Sequence, residues 1–323
     1  MAKEIYLFII LIRAIAAITI TITNAHYTGV YPTDLIANGG LLGDVLFFAV
    51  SGFCLANTKE AFPKWYLRRF IRIYIPVWVI TVIYMLLGLY TVTNLDDGIK
   101  FFFWPTHWHF VASIIILYIP LYFISKFIEM NTKNYVKTAS LIFVLQLVFY
   151  FTIYDRSYYH IDSVYQPMIE FLFFQSMLMG VYFRWRCNEV GYCNMKLKLE
   201  YIIIGSILLG IYFLSKILFV KYSLIANFQI LNQVILGCLL YVLFLIFVTL
   251  EVNMQKIKGT KFFAIIKYIS DRTLEIYLVQ YVILDHLKVG PFPLNWLLLT
   301  STIIAVAEIL RWLSQQIIRR IRI

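Results

Sequence analysis

Two residues of the first apolar segment have side chains that could do chemistry. Arg13 lies in the middle of IYLFIILIRAIAAITITITNAH, and His26 stands at its end. A charged side chain at membrane depth costs free energy to bury and is by default a functional residue. Histidine is the side chain whose unperturbed pKa suits a general base near neutral pH. The pair therefore predicts a polar path into an apolar protein, with a proton acceptor at one end.

Composition indicates the kind of protein that holds these two side chains. Of the 323 residues, 62% are apolar and only 14% are charged, and the mean hydropathy is +0.80. These values are typical of an all-α polytopic membrane protein, which we expect to form a single domain over residues 1–323. The net charge of +11 does not indicate nucleic-acid binding, because Lys and Arg fall in short connectors and form no separate basic domain.

The apolar segments predict a bundle of about ten transmembrane helices, since a hydrocarbon core needs about 20 apolar residues per helix. The predicted spans lie near residues 4–23, 41–58, 73–92, 109–128, 138–154, 164–183, 200–219, 228–250, 268–287 and 293–317. The ninth span is the weakest, because Asp271, Arg272 and Glu275 fall in its first half.

The charges of the connectors predict the orientation of the bundle. One alternate set of connectors holds most of the basic residues: Lys59, Lys64, Arg68, Arg69, Arg72, Lys126, Lys133, Lys137, Arg184, Arg186, Lys196, Lys198, Lys256, Lys258, Lys261, Lys267, Arg319, Arg320 and Arg322. The other set is poorer in basic residues and richer in acidic ones: Lys100, Arg156, Lys216, Lys221, Lys288, Asp34, Asp96, Asp97, Asp155, Asp162 and Asp285. By the positive-inside rule the first set is cytoplasmic, so both termini are expected in the cytoplasm. Because Arg13 interrupts the first apolar stretch, we expect a retained first helix and no signal peptide.

Further motifs join Arg13 and His26 in a known pattern. RAIAAITITITNAH, LLGDVLFFAVSGFCL and YLRRFIRIYIPVW together resemble the signature of the acyltransferase-3 membrane family. HWHFVASIIILYIPLYF and ISDRTLEIYLVQ are similar to the family's fourth-helix region and to its late segment. The resemblance implies a membrane O-acyltransferase that moves an acyl group from a cytoplasmic donor onto the hydroxyl of an extracytoplasmic carbohydrate.

The chain departs from the family pattern at one position. The family places its histidine eleven residues after the arginine, where this chain has Asn24, and His26 lies two residues further on. On a helix, position 24 would lie about 20° from the Arg13 direction and position 26 about 140° from it. We expect the helix to end before His26, because asparagine is a poor mid-helix residue and both Gly29 and Pro32 follow.

The resemblance implies that His26 is the base that takes the proton of the sugar hydroxyl. An interfacial histidine that only anchors a helix end is the alternative. Asp44, near the outer end of the second span, could orient the imidazole as carboxylates do in catalytic triads. A helix N-cap explains Asp44 equally well.

The arginines are candidates for the donor. Arg68, Arg69 and Arg72 are expected to bind the phosphates of acyl-CoA, first of all acetyl-CoA, because guanidinium groups form bidentate hydrogen bonds with phosphates. A basic loop that only sets topology is the alternative. Arg13, about 20 Å of helix away from His26, could line the donor's path or bond its amide-rich arm. Pairing with a buried acid such as Glu170 is the alternative for Arg13.

Other residues are interpreted as structural. Ser51 and Gly52 of the SGF motif predict close helix packing. Glu308 and Arg311, three residues apart, predict an ion pair. The four cysteines predict neither a disulfide framework nor a zinc site, and we expect no metal cofactor.

The expected partners are a carbohydrate acceptor and membrane lipids, with no nucleic acid, and the expected location is a bacterial plasma membrane. The competing class is a transporter or flippase for lipid-linked sugars. In that class Arg13 and Glu170 would line a translocation path without doing chemistry.

Overall fold

The computed structural model describes residues 6–24, 40–56, 58–104, 108–163, 167–191, 195–287 and 294–321. All regular structure in these ranges is helical. His26 lies outside the described residues, as do His107 and Cys193.

The helices follow the apolar segments of the sequence. Numbered in chain order, they are α1 (Leu7–Asn24), α2 (Gly40–Leu55), α3 (Phe62–Leu86), α4 (Leu95–Gly98), α5 (His109–Phe127), α6 (Thr132–Thr152), α7 (Pro167–Val190), α8 (Leu199–Lys221), α9 (Ile230–Thr249), α10 (Glu251–Ile257), α11 (Lys261–Ser270), α12 (Thr273–His286) and α13 (Leu294–Arg320). A π-helical turn, Ile99–Phe103, continues α4, and a 3-10 turn, Ser223–Phe228, precedes α9.

Six helices in the described part of the chain are long and apolar enough to cross a membrane, namely α3, α5, α6, α8, α9 and α13. Residues 7–19 of α1 and all of α2 form shorter apolar helices. The described residues therefore support an all-α membrane protein, and the count of about ten spans with cytoplasmic termini stays a prediction.

The third predicted span, residues 73–92, begins later in the chain than the observed helix α3 does. The predicted connector that holds the arginines is helical, because α3 starts at Phe62 with Pro63 in its first turn. Proline fits the first turn of a helix, where its missing N–H would have no intrahelical partner. Arg68, Arg69 and Arg72 therefore lie on the first half of a 25-residue helix and not in a loop.

The ninth predicted span is interrupted. Asp271 and Arg272 separate α11 from α12, so no continuous helix covers residues 268–287. The Arg272 side chain donates to the carboxylate of Glu308 on α13 and to the carbonyl of Tyr268. Glu308 forms its ion pair with Arg272 of a neighbouring helix, and the predicted partner Arg311 contributes an electrostatic interaction to the same carboxylate.

The chain divides into two compact units. The first comprises the described parts of residues 1–16, 41–58 and 121–267, and the second those of 17–40, 59–120 and 268–323. Within the first unit α8 packs on α9, and α7 packs on both α6 and α9. Within the second unit α13 packs on α12 and on α3.

Candidate active site

The start of α1 is fixed by polar contacts with other parts of the first unit. The backbone N–H of Phe8 donates to Glu251 Oε2 at 2.8 Å. Glu251 is buried and satisfies one of the N–H groups that have no intrahelical partner at a helix start. The Tyr6 hydroxyl donates to Asn188 Oδ1 at 2.9 Å, and the Arg184 guanidinium lies 4.6 Å from the Tyr6 ring centre. These contacts hold the helix that carries Arg13.

Arg13 lies on α1 and is half-buried. No hydrogen bond or ion pair joins its guanidinium to another described residue, so the alternative pairing with Glu170 is not observed. A guanidinium carries five N–H donors, and leaving them without partners at membrane depth is costly. A role for Arg13 in binding the donor therefore stays a prediction.

The position of His26 remains a prediction, because it lies outside the described residues. Asn24 is the last residue of α1, eleven positions after Arg13. That separation corresponds to about 17 Å along the helix axis.

Asp44 is the fifth residue of α2, which excludes the alternative that it caps this helix. Its Oδ1 atom is buried and has no hydrogen-bond partner. Asp44 interacts electrostatically with Tyr212 of α8, a fully buried residue whose side chain lies next to Lys216. Both residues belong to the first unit. The Asp44 carboxylate thus keeps one buried oxygen without a hydrogen bond, and whether a substrate group or the imidazole of His26 uses it stays a prediction.

Next to Tyr212 lies a buried ion pair that the sequence did not predict. Lys216, one turn further along α8, places its ammonium 2.7 Å from Asp162 Oδ2 and 5.2 Å from the Tyr212 ring centre. Burial, and secondly the carboxylate of Asp162, raise the pKa of Tyr159 in the loop between α6 and α7. Tyr159 therefore stays protonated and donates to Asn232 Oδ1 at 3.2 Å. The prediction that Lys216 lies in an outer connector is wrong, because Lys216 lies within α8, a helix long and apolar enough to cross a membrane.

The three arginines of the second unit have different surroundings. Arg68 forms an ion pair with Glu60. The Arg69 guanidinium stacks 4.1 Å from the centre of the Trp65 ring and donates to the Trp65 carbonyl at 2.7 Å. Arg72 is exposed. The Nε atoms of Arg68 and Arg69 are buried without a hydrogen-bond acceptor. Arg72 is thus an exposed cation, and Arg68 and Arg69 each keep an N–H donor without an acceptor.

The comparison with protein families favours the acyltransferase class over the transporter class. A family model described as an acyltransferase domain, that of acyltransferase-3, matches residues 6–312. The chain belongs to the acyltransferase-3 family. Comparisons with curated proteins and with solved structures gave no match. The membership shows a membrane acyltransferase in general terms, in agreement with the apolar helices.

In this acyltransferase-3 chain, the SGF motif is a packing site, as predicted for Gly52. An added Cβ at Gly52 would lie 2.0 Å from the carbonyl oxygen of Met177 on α7, so only glycine fits. Ser51 and Phe53 are also buried. The motif therefore fixes the position of α2, which carries Asp44, against α7.

Sequence analysis missed the residues around Asp44. Lys216 could have been found, because it is a charged residue within an apolar segment. Tyr212 and Asp162 carried no comparable signal, since tyrosine is common in this chain and Asp162 stands in a polar loop. Among the described residues, no group of three or more His, Cys, Asp and Glu side chains could hold a metal ion.

Proposed function

We propose that this acyltransferase-3 protein transfers an acetyl group from cytoplasmic acetyl-CoA to a hydroxyl of an extracytoplasmic carbohydrate. The observation that carries the proposal is the family match over residues 6–312, which covers every candidate residue. A multi-pass protein in a bacterial plasma membrane has access to both substrates, one from each side.

The proposed reaction needs a base and an electrostatic path for the donor. The imidazole of His26 takes the proton of the acceptor hydroxyl, and the hydroxyl oxygen attacks the thioester carbonyl carbon. The C–S bond then breaks, and the leaving thiolate receives the proton from the imidazolium. The oxygen–carbon bond replaces the sulfur–carbon bond, so the reaction needs no oxidant or reductant.

The arginine cluster is proposed as the site of the donor's phosphates. Arg72 is exposed, and the Nε atoms of Arg68 and Arg69 lack acceptors. Phosphate oxygens are acceptors that form strong, charge-assisted hydrogen bonds with guanidinium groups. The ion pair between Arg68 and Glu60 opposes donor binding, because the carboxylate competes for the same guanidinium.

Arg13 and Asp44 are proposed as polar groups that act on the substrates from the first unit. Arg13 has donors to offer the carbonyl oxygens of the donor's amide-rich arm. Asp44 has a free acceptor, Oδ1, which suits either the imidazole N–H or the acceptor hydroxyl. We assign it to the imidazole, as a carboxylate that stabilises the protonated ring.

The test is acyl transfer by membranes that contain the protein. Membranes are incubated with acetyl-CoA labelled in the acetyl group and with total surface glycans, and the purified polymer is counted. We expect label in the wild-type reaction and none without the protein. A transporter would leave the polymer unlabelled, and that result in correctly inserted protein would reject the proposal.

A further inference from the structure

Three glutamines inside the first unit form a chain of hydrogen bonds. Gln175 Nε2 donates to Gln146 Oε1 at 2.7 Å, and Gln146 Nε2 donates to Gln233 Oε1 at 2.6 Å. Gln233 Nε2 in turn donates to the backbone carbonyls of Ile161 and Met168, at 3.1 and 3.4 Å. Gln146 and Gln233 are buried. The chain therefore runs from α7 through α6 to α9.

The contacts of Gln233 fix the donor-to-acceptor direction of the whole hydrogen-bond chain. A carbonyl oxygen only accepts hydrogen bonds, so Gln233 must turn its amide nitrogen towards Ile161 and Met168. Its oxygen then faces Gln146, and the same reasoning fixes the amides of Gln146 and Gln175. The outer end of the chain is consequently an acceptor, Gln175 Oε1, and no described residue donates to it. A ligand that binds there must supply a hydrogen-bond donor.

A cavity of about 570 Å³ adjoins the three glutamines. It lies among α6, α7, α8 and α9, and its remaining wall is mainly apolar, with Phe143, Leu172, Ile204 and Val234 among the lining residues. Cavities of this size hold small organic ligands, which are oriented by a few polar groups. Here the polar groups of the lining are the three glutamine amides and the hydroxyl of Tyr241, and most of the remaining wall is apolar.

The helices beside the cavity indicate where its ligand comes from. Val148 of α6 and Ile207 of α8 are each 55% exposed, on helices long enough to span a membrane. Such residues face hydrocarbon in a bilayer, so an occupant that enters between these helices arrives from the lipid phase.

We propose that this cavity binds a long-chain amphiphile of the bilayer that carries a hydroxyl group. Its hydrocarbon chain fills the apolar part, and its hydroxyl donates to Gln175 Oε1. A lipid that has only ester or ether oxygens at that position binds less well, because these oxygens cannot donate a hydrogen bond to Gln175 Oε1. The site is independent of the acyl transfer proposed above, because none of the residues assigned to that reaction lines the cavity.

Cys238 lines the cavity and allows a direct binding assay. In protein with Cys54, Cys187 and Cys193 replaced by Ala, the rate of N-ethylmaleimide reaction at Cys238 reports occupancy. The probes are hexadecan-1-ol and its methyl ether, which match in chain length and differ in the donor. We expect half-protection of Cys238 at a concentration about two- to tenfold lower for the alcohol, the effect of one hydrogen bond.

Variants separate the polar and the apolar parts of the site. Gln175→Leu should abolish the difference between alcohol and ether. Gly237→Leu should abolish protection by both, because an added Cβ at Gly237 meets no atom within 4 Å and the side chain can occupy the cavity. Gly210→Leu is the matched control, since Gly210 also has open space around it but does not line the cavity.

Three outcomes would overturn the proposal. They are equal protection by alcohol and ether in the parent protein, a difference that survives in Gln175→Leu, and absence of protection by the alcohol. The comparison of the two probes in the parent protein needs no variant, so a misfolded Gln175→Leu leaves the proposal testable.

Discussion

Gly180 of α7 lies against the backbone of Ala49 on α2, so closely that an added Cβ would stand 1.8 Å from the Ala49 carbonyl oxygen. Gly52 makes the reciprocal approach to Met177. The two helices therefore touch through their backbones, and Phe48 and Phe173 stack beside them with ring centres 4.1 Å apart. This contact places the helix of Asp44.

Replacing either glycine should separate the two helices. We expect Gly180→Ala and Gly52→Ala to lower stability by more than the about 1–3 kcal/mol that is common for overpacking, because the clash is with backbone that cannot rotate away. Thermal unfolding of detergent-solubilised protein would measure this. Gly210→Ala is the control and should have little effect, since nothing lies within 4 Å of its Cβ position. Equal melting temperatures for the Gly180 and Gly210 variants would contradict the described packing.

The assignment of His26 as the base predicts that substitution at His26 lowers activity more than substitution at Asn24. His26→Ala should reduce acyl transfer by about 10²–10⁴, the usual contribution of a general base, while the protein still inserts. Asn24→Ala should reduce it less. Activity is measured with labelled acetyl-CoA and normalised to membrane abundance. An inactive Asn24 variant beside an active His26 variant would assign the catalytic position to residue 24.

Removing basic and acidic side chains at the proposed donor site should change the apparent KM for acyl-CoA in opposite directions. Changing Arg69 and Arg72 together to Gln should raise the apparent KM for acyl-CoA with little change in kcat, because phosphate contacts are similar in the ground state and the transition state. Glu60→Gln should lower the same KM about two- to fivefold, since it frees Arg68 from a surface ion pair of modest strength. Unchanged KM values in inserted protein would leave these residues as topology determinants.

The pair of Lys216 and Asp162 should be more important to stability than surface pairs are. The Lys216 side chain is only 8% exposed, so Asp162→Asn leaves a buried cation without its carboxylate. Loss of one partner of a buried pair costs about 3–5 kcal/mol, and the 22% exposure of Asp162 favours the lower end of that range. The double variant Asp162→Asn, Lys216→Met should recover part of the loss. Additive effects in a thermal double-mutant cycle would show that the pair does not interact.

Orientation can be tested by cysteine labelling in a cysteine-free background. Cysteines at Asp97 and Ser157 should react with an impermeant maleimide in intact cells, and those at Lys133 and Lys258 only after permeabilisation. Ser157 is exposed and is a better reporter than Asp162, whose replacement would break the ion pair. Reversed labelling would place the end of α1 in the cytoplasm, and His26 on the donor side.

The sequence by itself determined the class of protein and the family. Hydropathy is a property of each segment alone, so the apolar helices were predictable where they are long and free of charge, as in α8 and α9. Hydropathy did not predict the structure where a charged residue pairs with a residue distant in the sequence. The predicted span over residues 268–287 is interrupted at Arg272, which pairs with Glu308, and Lys216 is tolerated inside α8 because Asp162 lies beside it.

Only the tertiary structure decided which polar groups share a site. Tyr212 follows Asp44 by 168 positions, and no periodicity along the chain relates them, yet they interact in the first unit. The same holds for Gln146, Gln175 and Gln233, which stand on three helices. A polar side chain inside an apolar bundle is stable only next to a partner, and the packing of helices decides which residue that partner is.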